Sequence, residues 1–115
     1  MITIFKKDDN FIFEVNGFHK LWALKSQLTI PAEHILNAHQ DPESIKGWRG
    51  WKLPGTFIPT IITAGTFYKD GNKIFWDASD LEKCIIVNLK DEDYQELIIE
   101  VENPEDSIKM LTGKR

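Results

Sequence analysis

Residues 47–77 read GWRGWKLPGTFIPTIITAGTFYKDGNKIFWD, and the second half of that stretch carries a hairpin. Residues 60–68 are rich in β-branched and aromatic side chains, which suit a pleated, half-buried surface. Asp70-Gly71-Asn72 supplies the turn, because Gly and Asn accept positive φ at low cost. Residues 73–77 return, with Ile74 and Trp76 on one face and Phe75 and Asp77 on the other. Upstream, Pro54-Gly55 and Pro59 exclude a helix and disfavour a central strand. Gly65 inside the first strand predicts a bulge or a close backbone approach. Three of the four tryptophans fall in this stretch, so it also holds the most distinctive surface chemistry of the chain.

Outside the hairpin the chain reads as short strands in hairpin steps. Residues 2–6 form a strand, Asp8-Asp9-Asn10 a turn, and residues 11–15 the return, with Phe11, Phe13 and Val15 opposite Ile12 and Glu14. Gly17 breaks it, and Leu21, Trp22, Leu24 and Leu28 fit one face of a short helix over 19–25. Residues 27–30 predict a strand stopped by Pro31, and 33–39 another, anchored by Ile35. Pro42 and Gly47 open a long loop. After the hairpin, residues 83–89 place Ile85, Val87 and Leu89 on one face. Asp91-Glu92-Asp93 is a solvated turn. Residues 94–102 alternate most cleanly, Leu97, Ile99 and Val101 pointing in and Glu96, Glu100 and Glu102 out, with Ile98 the exception. Asn103-Pro104-Glu105-Asp106 then starts a helix: an N-cap, a proline at the first turn, and acids at the positive end of the dipole. Ile108 and Leu111 make its apolar face, and Gly113 ends it. Seven or eight strands of this kind curl into a barrel or two packed sheets, with the helix over an open end.

With 115 residues, the chain is read as a single domain over 1–115. Hydrophobic content of 42% and charged content of 28% describe an ordinary globular chain rather than a disordered one. No apolar run approaches the roughly 20 residues of a membrane helix, so no transmembrane segment is expected. MITIFKKDDN has no signal-peptide core, and the single Cys84 cannot form an internal disulfide; both fit a cytoplasmic protein. Cys84 sits in an apolar run and reads as a small buried hydrophobe. Residues 1–76 carry nine Lys/Arg and seven Asp/Glu, residues 77–115 five and eleven, which gives +2 and −6 and the net −4. That balance argues against nucleic acid, which wants a dominant basic surface.

The final strand running into the helix, LIIEVENPEDSIKML, resembles the bacterial pleckstrin-homology-like domains. LTIPAEHILNAH is similar to their short strand, proline and Ile-anchored strand, and AGTFYKDGNKIFWD to their glycine-aromatic hairpin. The chain is also similar to small uncharacterised bacterial proteins that share the GWKLPGTFIP and AGTFY stretches, and these carry no activity over to it. The resemblance covers nearly the whole chain and implies an all-β fold with one C-terminal helix: a strongly bent antiparallel barrel capped by that helix, with a binding or scaffold role. Eukaryotic relatives bind phosphoinositides through a basic loop near the N-terminus. The corresponding KKDDN departs from this, being acidic at its tip.

The chemistry-bearing residues give no catalytic or metal motif. His34 and His39, five apart on a strand, would face opposite sides, and no third ligand accompanies them. Asp77 is the best placed carboxylate and, if buried, needs a partner such as Arg49. The suggestive patch is Lys46, Trp48, Arg49, Trp51 and Lys52, cations alternating with tryptophans between glycines. It reads three ways. Trp48 and Trp51 fold over the hairpin residues Phe67, Phe75 or Trp76 as a lid, anchor a protein contact, or meet an anionic membrane interface. The expected function is a non-enzymatic binding or scaffold domain without cofactor. It acts through a protein partner or self-association, with peripheral membrane or anionic-ligand binding through residues 46–52 as the alternative.

Overall fold

Alternating apolar residues at the N-terminus build the first layer. The computed structural model describes residues 1–15, 27–46, 51–52 and 63–113, with backbone alone at 51–52 and 63–64. In it, β1 (Ile2–Lys7), β2 (Asn10–Val15) and β3 (Gln27–Pro31) form a three-stranded antiparallel sheet in that order. Asp8 and Asp9 make a two-residue turn with Asp8 at φ 56°, a left-handed conformation that Asp adopts more readily than most residues. Phe11, Phe13 and Val15 face inward beside Ile2 and Ile4, as the alternation requires. The helix expected over 19–25 lies outside the described residues.

The strand expected over 33–39 starts late. Ala32–His34 is a 3₁₀ turn, and β4 runs Ile35–His39. A register shift between Ile35 and Asn37 changes which residue faces the core. Ala38 is the buried residue of β4, the expected anchor Ile35 packs half-buried against the same core, and Leu36 is left 58% exposed.

The second layer is a six-stranded sheet in the order β4-β8-β9-β7-β6-β5, with β5 (Trp51–Lys52), β6 (Thr63–Lys69), β7 (Asn72–Ala78), β8 (Cys84–Leu89) and β9 (Glu96–Glu100). Its β6–β7 hairpin is as expected, and Asp70 (φ 53°) and Gly71 (φ 81°) are both left-handed, as a tight two-residue turn demands. Gly65 makes no bulge. The register runs unbroken from Thr63↔Ala78 to Lys69↔Asn72, and Gly65 stands opposite Trp76 at φ 118°, which side chains of L-residues rarely adopt. The missing Cβ leaves the cross-strand position to the indole.

Two features of the expected antiparallel barrel are corrected. Among the described residues the strands form two sheets and no closed barrel. The larger sheet is also mixed, because β9 pairs antiparallel with β8 but parallel with β7, from Ile74↔Glu96 to Asp77↔Ile99. Local turn chemistry marks hairpins and is silent about such a non-local pair. The chain therefore passes from β7 to β8 across the end of β9. A 3₁₀ turn, Leu81–Lys83, is capped by the Asp80 carboxylate, which accepts from the Glu82 N–H at 3.0 Å. The Val101 N–H donates to the Lys83 carbonyl at 3.0 Å. Ser79 donates to Glu100 Oε1 from its N–H at 3.3 Å and its hydroxyl at 2.9 Å. Glu100, expected on a wet face, is thus 5% exposed and serves as a hydrogen-bonded anchor for the crossover.

Both faces of the larger sheet are covered. On one, Phe75, Ile85, Val87, Leu97 and Ile99 meet the smaller sheet in the first core. On the other, Phe67, Ile74, Trp76, Cys84, Ile86 and Ile98 form a second core with Ile45. Helix α1 (Pro104–Thr112) adds Leu111 to the first core, with Ile108 packed against it. Its ends follow the expected chemistry: Asn103 Oδ1 accepts from the Asp106 N–H at 3.1 Å, and Gly113 at φ 71° donates to the Lys109 carbonyl at 2.9 Å. Leu111 is 6% exposed, so Leu111→Ala is expected to lower the free energy of urea unfolding by roughly 2–5 kcal/mol. A loss below about 0.5 kcal/mol, the range of inconsequential surface changes, would show that α1 does not hold the core.

Candidate functional site

Side chains two apart on a strand share a face, so the pairing registers lay out the second face of the larger sheet in rows. One row is His39, Ile86, Ile98, Trp76 and Gly65 across β4, β8, β9, β7 and β6. The row beside it is Asn37, Asn88, Glu96, Ile74 and Phe67. Phe67 meets the Trp76 ring edge to face at a centroid distance of 6.4 Å, which fixes the indole between the rows.

A cavity of about 220 Å³ opens over these rows. Ile74, Trp76, Ile86 and Ile98 make its floor, and Ile45 closes one side. Ile45 is held there by the turn before it: the Asp41 carbonyl accepts from the Ser44 N–H at 3.1 Å and from its hydroxyl at 3.0 Å. The rim is polar, with His39, Ser44, Lys69, Asn88 and Glu96. Asn88 Nδ2 donates to Glu96 Oε2 at 3.2 Å. Burial pushes the Glu96 carboxyl above its ordinary range, while the Asn88 bond, His39 and Lys69 act in the opposite direction. An apolar floor under one carboxylate, one amide, one imidazole and one ammonium is the composition of a small ligand site.

The residues singled out in the sequence are not gathered into a site. Lys46 is exposed, and its Nζ donates to Glu43 Oε1 at 3.0 Å, a bond that raises its pKa. Trp48 and Arg49 lie outside the described residues. Trp51 and Lys52 are described in their backbone, which forms β5 against Tyr68 and Phe67. The two ends of the 46–52 stretch are nevertheless fixed beside the cavity: Lys46 follows Ile45, and Trp51 pairs with Tyr68, the neighbour of Lys69. The lid expected of Trp48 and Trp51 lies outside the described residues. Of the surfaces expected to receive it, Phe67 and Trp76 belong to the second core and Phe75 to the first.

Of the remaining candidates, His39 lies on the cavity rim and the others are structural. His34 Nδ1 is bonded to Glu92, tying the 3₁₀ turn after β3 to the β8–β9 turn, whereas His39 Nδ1 lies 3.3 Å from Asn37 Oδ1. Among the described residues no group of three metal-ligating side chains occurs. Asp77 is fully buried, with the amino group of Met1 3.5 Å from Oδ1. Cys84 is 1% exposed, and its Sγ donates to the Asp80 carbonyl at 3.3 Å.

Glu96, Asn88, His39 and Lys69 escaped the sequence reading as a site. A signal existed for Asn88 and Glu96. Ile85-Ile86-Val87 and Leu97-Ile98-Ile99 are unbroken apolar runs, which mark strands buried on both faces, so polar residues flanking them face a core or a cavity. No protein-family model, curated protein or solved structure matches the chain. Among the described residues no helix is long and apolar enough to cross a membrane.

Burial, with the nearby acids Glu100, Asp80 and Asp77, pushes the Cys84 thiol from about 9 up to about 12. A pKa raised in the fold favours folding below the unfolded value and loses that contribution as pH climbs to the folded one. Stability owed to Cys84 is therefore expected to persist below pH 9 and vanish towards pH 12. Thiol titration with a chromogenic disulfide at mildly alkaline pH should find Cys84 silent in the native protein and reactive in denaturant. Rapid native labelling would mean an open thiol.

Proposed function

We propose that this chain is a non-enzymatic binding domain acting through protein contacts, self-association included. The observation that carries the reading is the partly open second core: an apolar-floored cavity with both ends of the 46–52 stretch anchored at its side. Tryptophan and arginine, both present in that stretch, are common anchors of protein interfaces, and Gly47 and Gly50 let the backbone conform to a partner. Kinship with pleckstrin-homology-like domains belongs to the same proposal. The C-terminal strand that leads through a capped turn into a core-packed helix supports it, and the open, mixed sheet weighs against it. A cytoplasmic setting rests on the single cysteine.

Sedimentation velocity from micromolar to millimolar chain, with affinity capture by tagged protein, tests the reading. The expected result is a mass that rises with concentration, or a stoichiometric partner, in either case lost on combining Lys46→Glu, Arg49→Glu and Lys52→Glu. A monomer at every concentration with no such partner would remove it. The exposed Lys46 at the head of the cation-tryptophan stretch favours one second reading, an anionic membrane surface. In that case the wild type co-sediments with anionic vesicles at low salt, and Arg49→Glu with Lys52→Glu abolishes this. No co-sedimentation at low salt would end it.

A further inference from the structure

We infer that the cavity over β7, β8 and β9 is a binding site for a small zwitterion, a free α-amino acid with a branched or aromatic apolar side chain. This goes beyond the proposed protein contacts and does not depend on them.

Size is the first constraint. The cavity, about 220 Å³, is below the roughly 300–1,000 Å³ of pockets for drug-sized ligands, and suits a body of one apolar side chain. The floor is the second. Ile86, Ile98 and Trp76 stand side by side in one row and line the cavity with aliphatic and indole groups that carry no charge. The third is the order of charges at the rim. Glu96 lies between Lys69, which rises from β6 beyond Ile74, and His39 on β4 beyond Ile86. Both neighbours act on the Glu96 carboxyl, so each lies within electrostatic reach of it.

That order discriminates between ligand classes. A plain anion meets the half-buried Glu96 carboxylate. A plain cation meets Lys69. A wholly apolar body desolvates Glu96 and Asn88 without replacing their hydrogen bonds. A zwitterion satisfies all three groups. Among the described residues Asn88 is the hydrogen-bond donor to Glu96, and a carboxylate has about four acceptor sites. An α-ammonium supplies donors to Glu96, the α-carboxylate one carbon away turns to Lys69 or His39, and the side chain descends onto Ile98 and Trp76.

Isothermal titration of the full chain with leucine and phenylalanine tests this, beside isoamylamine and isocaproate, which keep the leucine body and one charge each. Leucine or phenylalanine should bind about tenfold or more tightly than either single-charge analogue, and Glu96→Gln should weaken leucine about tenfold while tightening isocaproate. Three results would overturn the inference: no binding of either amino acid, an analogue equal to leucine, or Glu96→Gln equal to wild type. If Glu96→Gln melts early and proves unfolded, the ligand series on the wild type decides alone. A strictly monomeric protein without partners that still binds leucine would sink the proposed function and keep this site.

Discussion

The burial of β7, β9 and β8 on both faces is the constraint on which the rest of the molecule depends. Leu97, Ile98 and Ile99 are consecutive and all buried, and so are Ile74, Phe75 and Trp76, and Ile85, Ile86 and Val87. No single apolar layer can cover such strands, because successive side chains point to opposite faces. Each fully buried large apolar side chain contributes about 1.5–3 kcal/mol, so the chain has reason to supply a cover on either side. The three-stranded sheet and Leu111 cover one face. On the other, among the described residues, the segment that carries Ile45 packs against Trp76, Ile86 and Ile98, and the cavity lies beside it.

Buried polar groups mark the edges of this arrangement, and Asp77 and Glu100 are the acids of the C-terminal third that lie inside it. Glu100 accepts two bonds from Ser79 at the crossover. At the opposite end of the strands, Thr66 Oγ1 and the Tyr94 hydroxyl are 2.6 Å apart, and Tyr94 meets Phe75 edge to face at 5.6 Å. Lys73 lies over the Tyr94 ring at 5.0 Å while paired with Asp93, closing that end with a cation shared by an aromatic face and a carboxylate. Each of these groups has its partner within a few residues of the pleat, which lets it sit inside without the cost of an unmade bond. Glu96, bonded to Asn88 on β8, differs in also lining a cavity.

What could be read in advance was what local chemistry decides. The Asp70-Gly71 turn, the stop at Pro31, the Asn103 cap and the Gly113 end each depend on a few adjacent residues, and each is in place. The parallel pairing of β7 with β9 depends on residues more than twenty positions apart, and nothing at Ile74 or Glu96 alone announces it. The barrel expectation failed for the same reason, since closure is a property of strand order. Ala38 joins Ile35 against the core through a register shift that no propensity encodes. Glu96 and Glu100 were misjudged together, because an in/out alternation assumes that out means water.

That assumption also explains why the candidate site moved. Cations alternating with tryptophans on a glycine-rich backbone announce themselves in one dimension, whereas a cavity is made by side chains brought together from distant strands. His39, Asn88, Glu96 and Lys69 come from four strands and have no motif in common. Yet the two regions adjoin, because Ile45 and Tyr68 hold the ends of the 46–52 stretch next to the rim. A partner held by that stretch and a small molecule held in the cavity would occupy neighbouring surface. Ile45 and Lys69 are the cavity-lining residues next in sequence to those anchor points, Lys46 and Tyr68.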